Sequence, residues 1–260
     1  MSEFEKILKR FVLEPIDDYL FGQQRIMERF NIAENVNEEI YKASDKLLYE
    51  GFRKLYDFEI INSDRVPIQA RSIICCNHQS LLDPLIFGVG VSHESRRKLN
   101  IMAKIELFET PLVNAWIRTH FAFPIRRGKS DAIAYEKALE LLNREELIGV
   151  FPEGTLNNGG TRFLEGKTGA VRLAHETLST VVPMVIYGTD KVFGKGAKVP
   201  KLSGKIAVNF GKPMHYNDVF KGSEDNSKFY KKAIKRVMRK IRDLYFDTEE
   251  YLSEKGLNKQ

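Results

Sequence analysis

Only two cysteines occur among the 260 residues, and they are neighbours, Cys75 and Cys76. Neither a disulfide framework nor a cysteine-rich metal site can be built from such a pair, and a reducing, cytoplasmic setting fits. Long apolar runs are missing as well: Ile73 to Cys76 and Leu147 to Phe151 fall far short of the ~20 residues a membrane helix requires. The opening Met1-Ser2-Glu3-Phe4-Glu5-Lys6 does not read as a signal peptide. There is no internal repeat and no low-complexity segment, and disorder is expected only at the ends.

What is there is an ordinary globular composition, 43% hydrophobic and 29% charged. The length allows one large domain or two small ones, either with a sizeable core. Forty-one basic against 35 acidic residues give a net charge of +6, which favours an anionic partner: a phosphorylated substrate, an anionic lipid surface or a nucleic acid. Nucleic acid is the weakest of the three, because the chain lacks interleaved exposed aromatics and any recognised binding module.

From residue 57 onward, short β-rich runs alternate with longer helical ones. Strands are predicted at Asp57 to Asn62, Ser72 to Cys76, Asn100 to Ala103, Phe121 to Ile125, Leu147 to Phe151, Val181 to Tyr187 and Lys205 to Phe210. Helices are predicted at Leu85 to Val91, Leu107 to Thr119, Asp131 to Asn143 and Thr168 to Leu178. Such alternation implies an α/β fold, a single domain with a largely parallel central sheet flanked by helices. Cys75 and Cys76 would then be small buried residues on opposite faces of one strand.

The first 56 residues differ. Phe4, Ile7, Leu8, Phe11, Val12, Ile16, Tyr19 and Leu20 recur at helical spacing, with Pro15 dividing the segment. After a polar break around Asn31 to Glu39, Ala43, Leu47, Leu48, Phe52 and Leu55 suggest a second amphipathic helix. The expected division is a 1–56 N-terminal helical segment, either packed on the domain or lying at a membrane surface, followed by a 57–260 domain. At the far end, Phe229, Tyr230, Ala233, Ile234, Val237, Met238, Ile241, Leu244 and Tyr245 form an apolar stripe opposite Lys231, Lys232, Lys235, Arg236, Arg239, Lys240 and Arg242. A core-facing stripe is expected, with a basic outer face able to meet anionic lipid.

In an open α/β sheet, ligands bind beyond the carboxyl ends of the strands. Reading the first polar groups after successive strands gives His78, then Lys104, then Arg126 with Arg127, then Glu153-Gly154-Thr155, with Lys167 shortly after. His78 and Asp83 flank Gln79-Ser80-Leu81-Leu82, which gives an imidazole base and a carboxylate able to orient it. A different reading remains open: Asp83, followed by Pro84, could be a helix N-cap, with His78 an ordinary loop residue. Cys76, two residues from His78, could also be a thiolate nucleophile. Arg126 offers a guanidinium fork for phosphate. The Pro152-Glu153-Gly154-Thr155 turn offers a carboxylate for hydroxyls, a hydroxyl and free amides for an anion, or it is a plain turn.

Asn77-His78-Gln79-Ser80 with Asp83, Phe123 to Arg126, Phe151 to Thr155, and Val182-Pro183-Met184-Val185 resemble, in order and spacing, the four blocks of the glycerolipid acyltransferase superfamily. Ala103-Lys104 with Glu106-Leu107, and Gly166 to Ala170 with Arg172-Leu173-Ala174, are similar too. The likeness runs from about residue 48 to about residue 215. It implies transfer of an acyl group from coenzyme A or acyl carrier protein to a glycerol hydroxyl of a lysophospholipid such as 1-acyl-glycerol 3-phosphate. No cofactor or metal is implied beyond that co-substrate. His78 would act as general base and Asp83 as its orienting partner. Arg126, Lys104 and Lys167 would hold the acceptor phosphate, and Glu153 its hydroxyls. Other lysophospholipids, glycerol 3-phosphate or a glycolipid hydroxyl remain open as acceptors, and a degenerate, non-catalytic member remains open as a class. With no membrane span, peripheral attachment to an anionic inner membrane face follows. One departure stands out: where the family commonly has arginine and serine after the Phe-Pro-Glu-Gly-Thr block, this chain has Leu156-Asn157-Asn158. That leaves Arg127, Arg162 or Lys167 to substitute, or a different acceptor head group.

Overall fold

The computed structural model describes residues 33–109, 114, 117–118, 120–126, 131–157, 162–194, 196–197, 199–221 and 228–257. Seven strands form one sheet: β1 Asp57–Ile61, β2 Ser72–Cys76, β3 Leu99–Lys104, β4 Phe123–Ile125, β5 Leu147–Val150, β6 Thr180–Tyr187 and β7 Lys205–Phe210. Their order is β1-β7-β6-β2-β5-β3-β4. The five strands from β6 to β4 are parallel, and β7 runs antiparallel to β6 and parallel to β1. The helices are α1 Ala33–Leu55, α2 Asp83–Ser95, α3 Ala132–Asn143, α4 Gly169–Thr177, α5 Thr189–Phe193, α6 Tyr216–Phe220 and α7 Phe229–Leu257.

The strands are apolar on both faces because both faces are covered. In β2, Ile73 and Cys75 join a core with α3, α4 and α7. Ile74 and Cys76 join a second core with α1 and α2. The two cysteines therefore lie on opposite faces, as the alternation of a strand requires. Helix α2 approaches the sheet closely. A Cβ on Gly90 would lie 3.0 Å from Val208 Cγ1, and one on Gly149 of β5 would lie 3.0 Å from Phe87 Cε1. The C-terminal stripe faces the core, with Ala233, Val237 and Ile241 fully buried. Helix α7 continues through Leu252, also buried.

Several boundaries differ from the sequence reading. Strand β4 starts at Phe123 rather than Phe121, because Phe121 takes a left-handed conformation (φ 56°) and its ring packs 5.5 Å from that of Tyr41. Helix α2 extends from Asp83 to Ser95; Ser92 and Ser95, polar on paper, bond back to the Gly88 and Val91 carbonyls and are buried. A five-residue 3-10 helix, Ile105–Glu109, opens the stretch predicted as Leu107 to Thr119; much of the remainder lies outside the described residues. Helix α1 already begins at Ala33, inside the expected polar break. Its buried side is Tyr41, Ser44 and Phe52, whereas Leu47 is 74% exposed and Ile40 and Leu55 also face outward. Residues 1–32, with the first predicted amphipathic helix, lie outside the described residues.

Candidate active site

The carboxyl ends of β6, β2, β5, β3 and β4 make one rim, and His78 sits at its centre, two residues beyond β2. Asn77 locks the strand end: its side-chain amide donates to the Ile186 carbonyl and accepts from the Ile186 N–H, both at 2.9 Å. The chain then turns, and His78 Nδ1 meets Asp83 Oδ2 at 3.0 Å. The same oxygen accepts the backbone N–H groups of Gln79 (2.6 Å) and Ser80 (2.7 Å), and Oδ1 accepts the Thr189 hydroxyl (2.6 Å). Asp83 is fully buried. Four donors on a buried carboxylate are what such a group requires, since burial is otherwise strongly unfavourable. Every neighbour donates, so the carboxylate is an acceptor only, and His78 presents Nδ1–H to it. The lone pair is then on Nε2, turned away from the carboxylate.

This geometry removes the N-cap reading. Asp83 is the first residue of α2, and Leu82 precedes it as N-cap without a side-chain bond. The Asp83 carboxylate reaches back to the amides of the His78 loop. Pro84 does occupy the first helical turn. The thiolate reading fails too: Cys76 is wholly buried, and burial, together with the charges of Asp83 and Glu153, pushes its thiol well above the usual range. Burial likewise raises the Cys75 thiol to about 12. A thiol held protonated is a poor nucleophile.

Phe151, the residue after β5, stacks on the His78 ring at 4.2 Å between centroids, with 20° between the planes. Glu153 is almost entirely buried, and both of its oxygens are occupied: Oε1 by His78 N–H (3.2 Å) and Oε2 by Leu164 N–H (2.9 Å). Burial raises its carboxyl above the usual range, against the opposing pull of these two amides. It ties the His78 loop to the loop before α4. A hydroxyl-binding Glu153 does not match this placement, since the carboxylate faces the protein backbone. Asn157 N–H adds a further tie, donating to the His78 carbonyl at 2.8 Å, a backbone bond that any residue but proline could make there.

Gly154 has φ +70°, and a Cβ there would lie 2.8 Å from Lys167 Cδ, Cε and Nζ. The Lys167 side chain therefore lies directly over the Gly154 turn, and its backbone N–H donates to the Pro152 carbonyl (2.8 Å). Thr155 beside it is exposed. Lys104, at the end of β3, pairs with Glu106 at 3.1 Å on the surface; exposed pairs of this kind contribute at most ~1 kcal/mol and exchange readily for another anion. Arg126 is exposed, and its backbone N–H is anchored by Asp131 Oδ2 (2.7 Å), which also caps α3. Arg127 lies outside the described residues. Arg162 is engaged elsewhere, with both terminal nitrogens on Glu249 (3.0 and 3.3 Å). The rim thus brings His78, Asp83, Gly154 and Lys167 together. Arg126 stands three strands from β2, roughly 14 Å away in the sheet.

Thr189 escaped the sequence reading, although the same rule finds it: it follows Gly188 just beyond β6, the strand next to β2. Among the described residues there is no cluster of three or more His, Cys, Asp or Glu able to hold a metal, and no helix long and apolar enough to cross a membrane.

The model of the acyltransferase family matches residues 57–187. The 1-acyl-sn-glycerol-3-phosphate acyltransferase of Bacillus subtilis is 27% identical over 160 residues, 62% of this chain and 75% of that one. The probable enzyme of the same name from Mycoplasma pneumoniae is 31% identical over 186 residues, 68% of each chain. The Borreliella burgdorferi protein of that name is 34% identical over 139 residues, and the match spans only 53% of it. Among solved structures, the 1-acyl-sn-glycerophosphate (LPA) acyltransferase PlsC from Thermotoga maritima superposes with a TM-score of 0.58 over 93% of this chain and 94% of that one, at 24% identity, a likeness of fold.

Proposed function

The chain belongs to the acyltransferase family, and from that premise we propose that it transfers a fatty acyl group from a thioester to the free hydroxyl of a 1-acyl-glycerol 3-phosphate. The observation that carries this reading is the buried Asp83 carboxylate on His78 Nδ1 at 3.0 Å, which leaves Nε2 as the base. Nε2 takes the proton of the acceptor hydroxyl as its oxygen attacks the thioester carbonyl carbon. The C–S bond then breaks, and the imidazolium returns the proton to the departing thiolate. No acyl-enzyme forms. Asp83 fixes the tautomer and stabilises the imidazolium, while Phe151 and the tie to Glu153 hold the ring and its loop.

Lys167, over the Gly154 turn, takes the place of the arginine missing at Leu156. Lys104 and Arg126 extend the positive rim toward a phosphate. The donor is coenzyme A or acyl carrier protein. Attachment to an anionic inner membrane face is peripheral, through the 1–56 segment. Supporting it are the exposed apolar residues Ile40, Leu47 and Leu55 on α1, a helix that also carries Lys42, Lys46 and Lys54.

His78→Ala tests the reading. Incubated with acyl-CoA and lysophosphatidate, the variant should release no free thiol above background while melting like the wild type. Undiminished thiol release would remove His78 from the chemistry.

A further inference from the structure

At the other end of the rim from Arg126, between α5 and α7, lies a cavity of about 420 Å³ whose walls include Lys191, Lys201 and Lys205. That volume lies within the ~300–1,000 Å³ of small-molecule sites and exceeds what a single ion fills. None of the described residues lining it is acidic. Lys191 Nζ donates to the Tyr187 hydroxyl (2.9 Å) and lies 4.6 Å above that ring. Lys205 Nζ donates to the Leu252 carbonyl (3.0 Å). Neutral acceptors thus position two ammonium groups beside a third. The nearby carboxylates lie outside the lining: Asp57 stands 3.9 Å from Lys205, Glu59, itself bonded to Lys255, also acts on Lys205, and Asp190 and Glu249 act on Lys191, Glu249 being bonded to Arg162 and the Tyr187 hydroxyl.

The cavity shares the rim with His78. Tyr187 ends β6 and Lys205 begins the antiparallel β7, one and two strand spacings from β2, roughly 5 and 10 Å. Helix α5 forms the wall between them. Its first residue, Thr189, bonds to Asp83, and its last, Phe193, accepts the Ser80 hydroxyl at 2.8 Å.

We propose that this cavity binds an organic phosphate, carried either by a soluble coenzyme A thioester or by a phospholipid headgroup. Assigning the soluble source to the acyl donor rests on the acyl-transfer reading; the preference for phosphate does not. The acceptor and the second phosphate-bearing molecule then reach His78 from opposite ends of one cationic rim.

The test compares the full chain with the double variant Lys191→Gln, Lys201→Gln, leaving Lys205 to hold α7. Unacylated coenzyme A is titrated calorimetrically, and phosphatidylglycerol vesicles are co-sedimented in parallel. Loss of two charged contacts should weaken coenzyme A binding by about tenfold or more. The KM for acyl-CoA should rise in step, with the acceptor KM unchanged, and Lys191→Arg should retain binding. Weakened vesicle binding with coenzyme A unaffected assigns the site to the headgroup phosphate. Unchanged binding of both overturns the proposal. Because coenzyme A binding needs no turnover, it is read independently of whether His78→Ala abolishes transfer.

Discussion

Replacing Asp83 by asparagine isolates the charge of this carboxylate from its geometry. The N–H groups of Gln79 and Ser80 can only donate, so the asparagine oxygen must take the place of Oδ2 and keep accepting from them and from His78 Nδ1. The new amide nitrogen then faces the Thr189 hydroxyl, which rotates to accept from it. Every hydrogen bond has a counterpart and the tautomer is preserved; only the stabilisation of the imidazolium is lost. Hydrogen bonds to charged groups contribute ~1.5–3 kcal/mol against ~0.5–1.5 for neutral ones. A full charge pair 3.0 Å apart at an effective dielectric of about 20 sets an upper bound of about 5.5 kcal/mol. An intermediate loss of about 3 kcal/mol corresponds to a fall of roughly 10²-fold in kcat. Thiol release under saturating acyl-CoA measures it, with the acceptor KM unchanged. A kcat within about threefold of wild type would show that the charge does not act on the base. A fall of about 10⁴, the loss seen when such a substitution reverses the tautomer, would show that the two amides do not hold the oxygen in place.

Three other outcomes are expected. Cys76→Ala should keep most of the activity, and native protein should resist alkylation by iodoacetamide; inactivation in step with modification would restore the thiolate reading. Glu153 has a folded-state carboxyl raised by burial, so its contribution to stability is fully present below its ordinary value and is lost as pH rises through the raised one. The denaturation midpoint of the wild type relative to Glu153→Gln should therefore be highest near pH 4 and decline toward neutrality; a relative gain with rising pH would contradict the burial argument. Leu47→Glu should lower co-sedimentation of the full chain with anionic vesicles at low salt and leave thiol release from soluble short-chain substrates intact, whereas unchanged partition would count against α1 as a membrane contact.

Much of the scaffold was legible because local and global signals agree. Ser72 to Cys76 and Lys205 to Phe210 are apolar runs bounded by polar residues, and both strands have those limits. The parallel topology placed His78, Lys104, Arg126 and Glu153 on one rim from the strand ends alone. What was hidden depends on partners distant in sequence. The orientation of Glu153 is set by amides at residues 78 and 164, and no local pattern distinguishes such a brace from a ligand-binding carboxylate. Asp83 before Pro84 fits a helix cap and a catalytic partner equally well until the chain's return at Gln79 is seen. On α1 the buried stripe is displaced from the expected one because Tyr41 and Ser44 meet the ring of Phe121 and His120 Nε2, respectively, contacts made 76 or more residues away.

The close seating of α2 bears on how this protein could be stabilised. Gly90 sits inside a helix, where alanine would ordinarily add up to ~1 kcal/mol, and it would rank high in any search for thermostabilising changes. Here the added methyl meets Val208 and Met184 at 3.0 to 3.2 Å. Both are buried in the sheet, so either these side chains or the helix must give by a few tenths of an ångström. Asp83 is the first residue of that helix, and it holds the His78 loop through His78 Nδ1 and the Gln79 and Ser80 amides. A shift of α2 provoked at Gly90 would be carried by Asp83 into the loop that bears the base, so heat resistance and turnover are coupled at a residue that touches neither substrate nor catalyst.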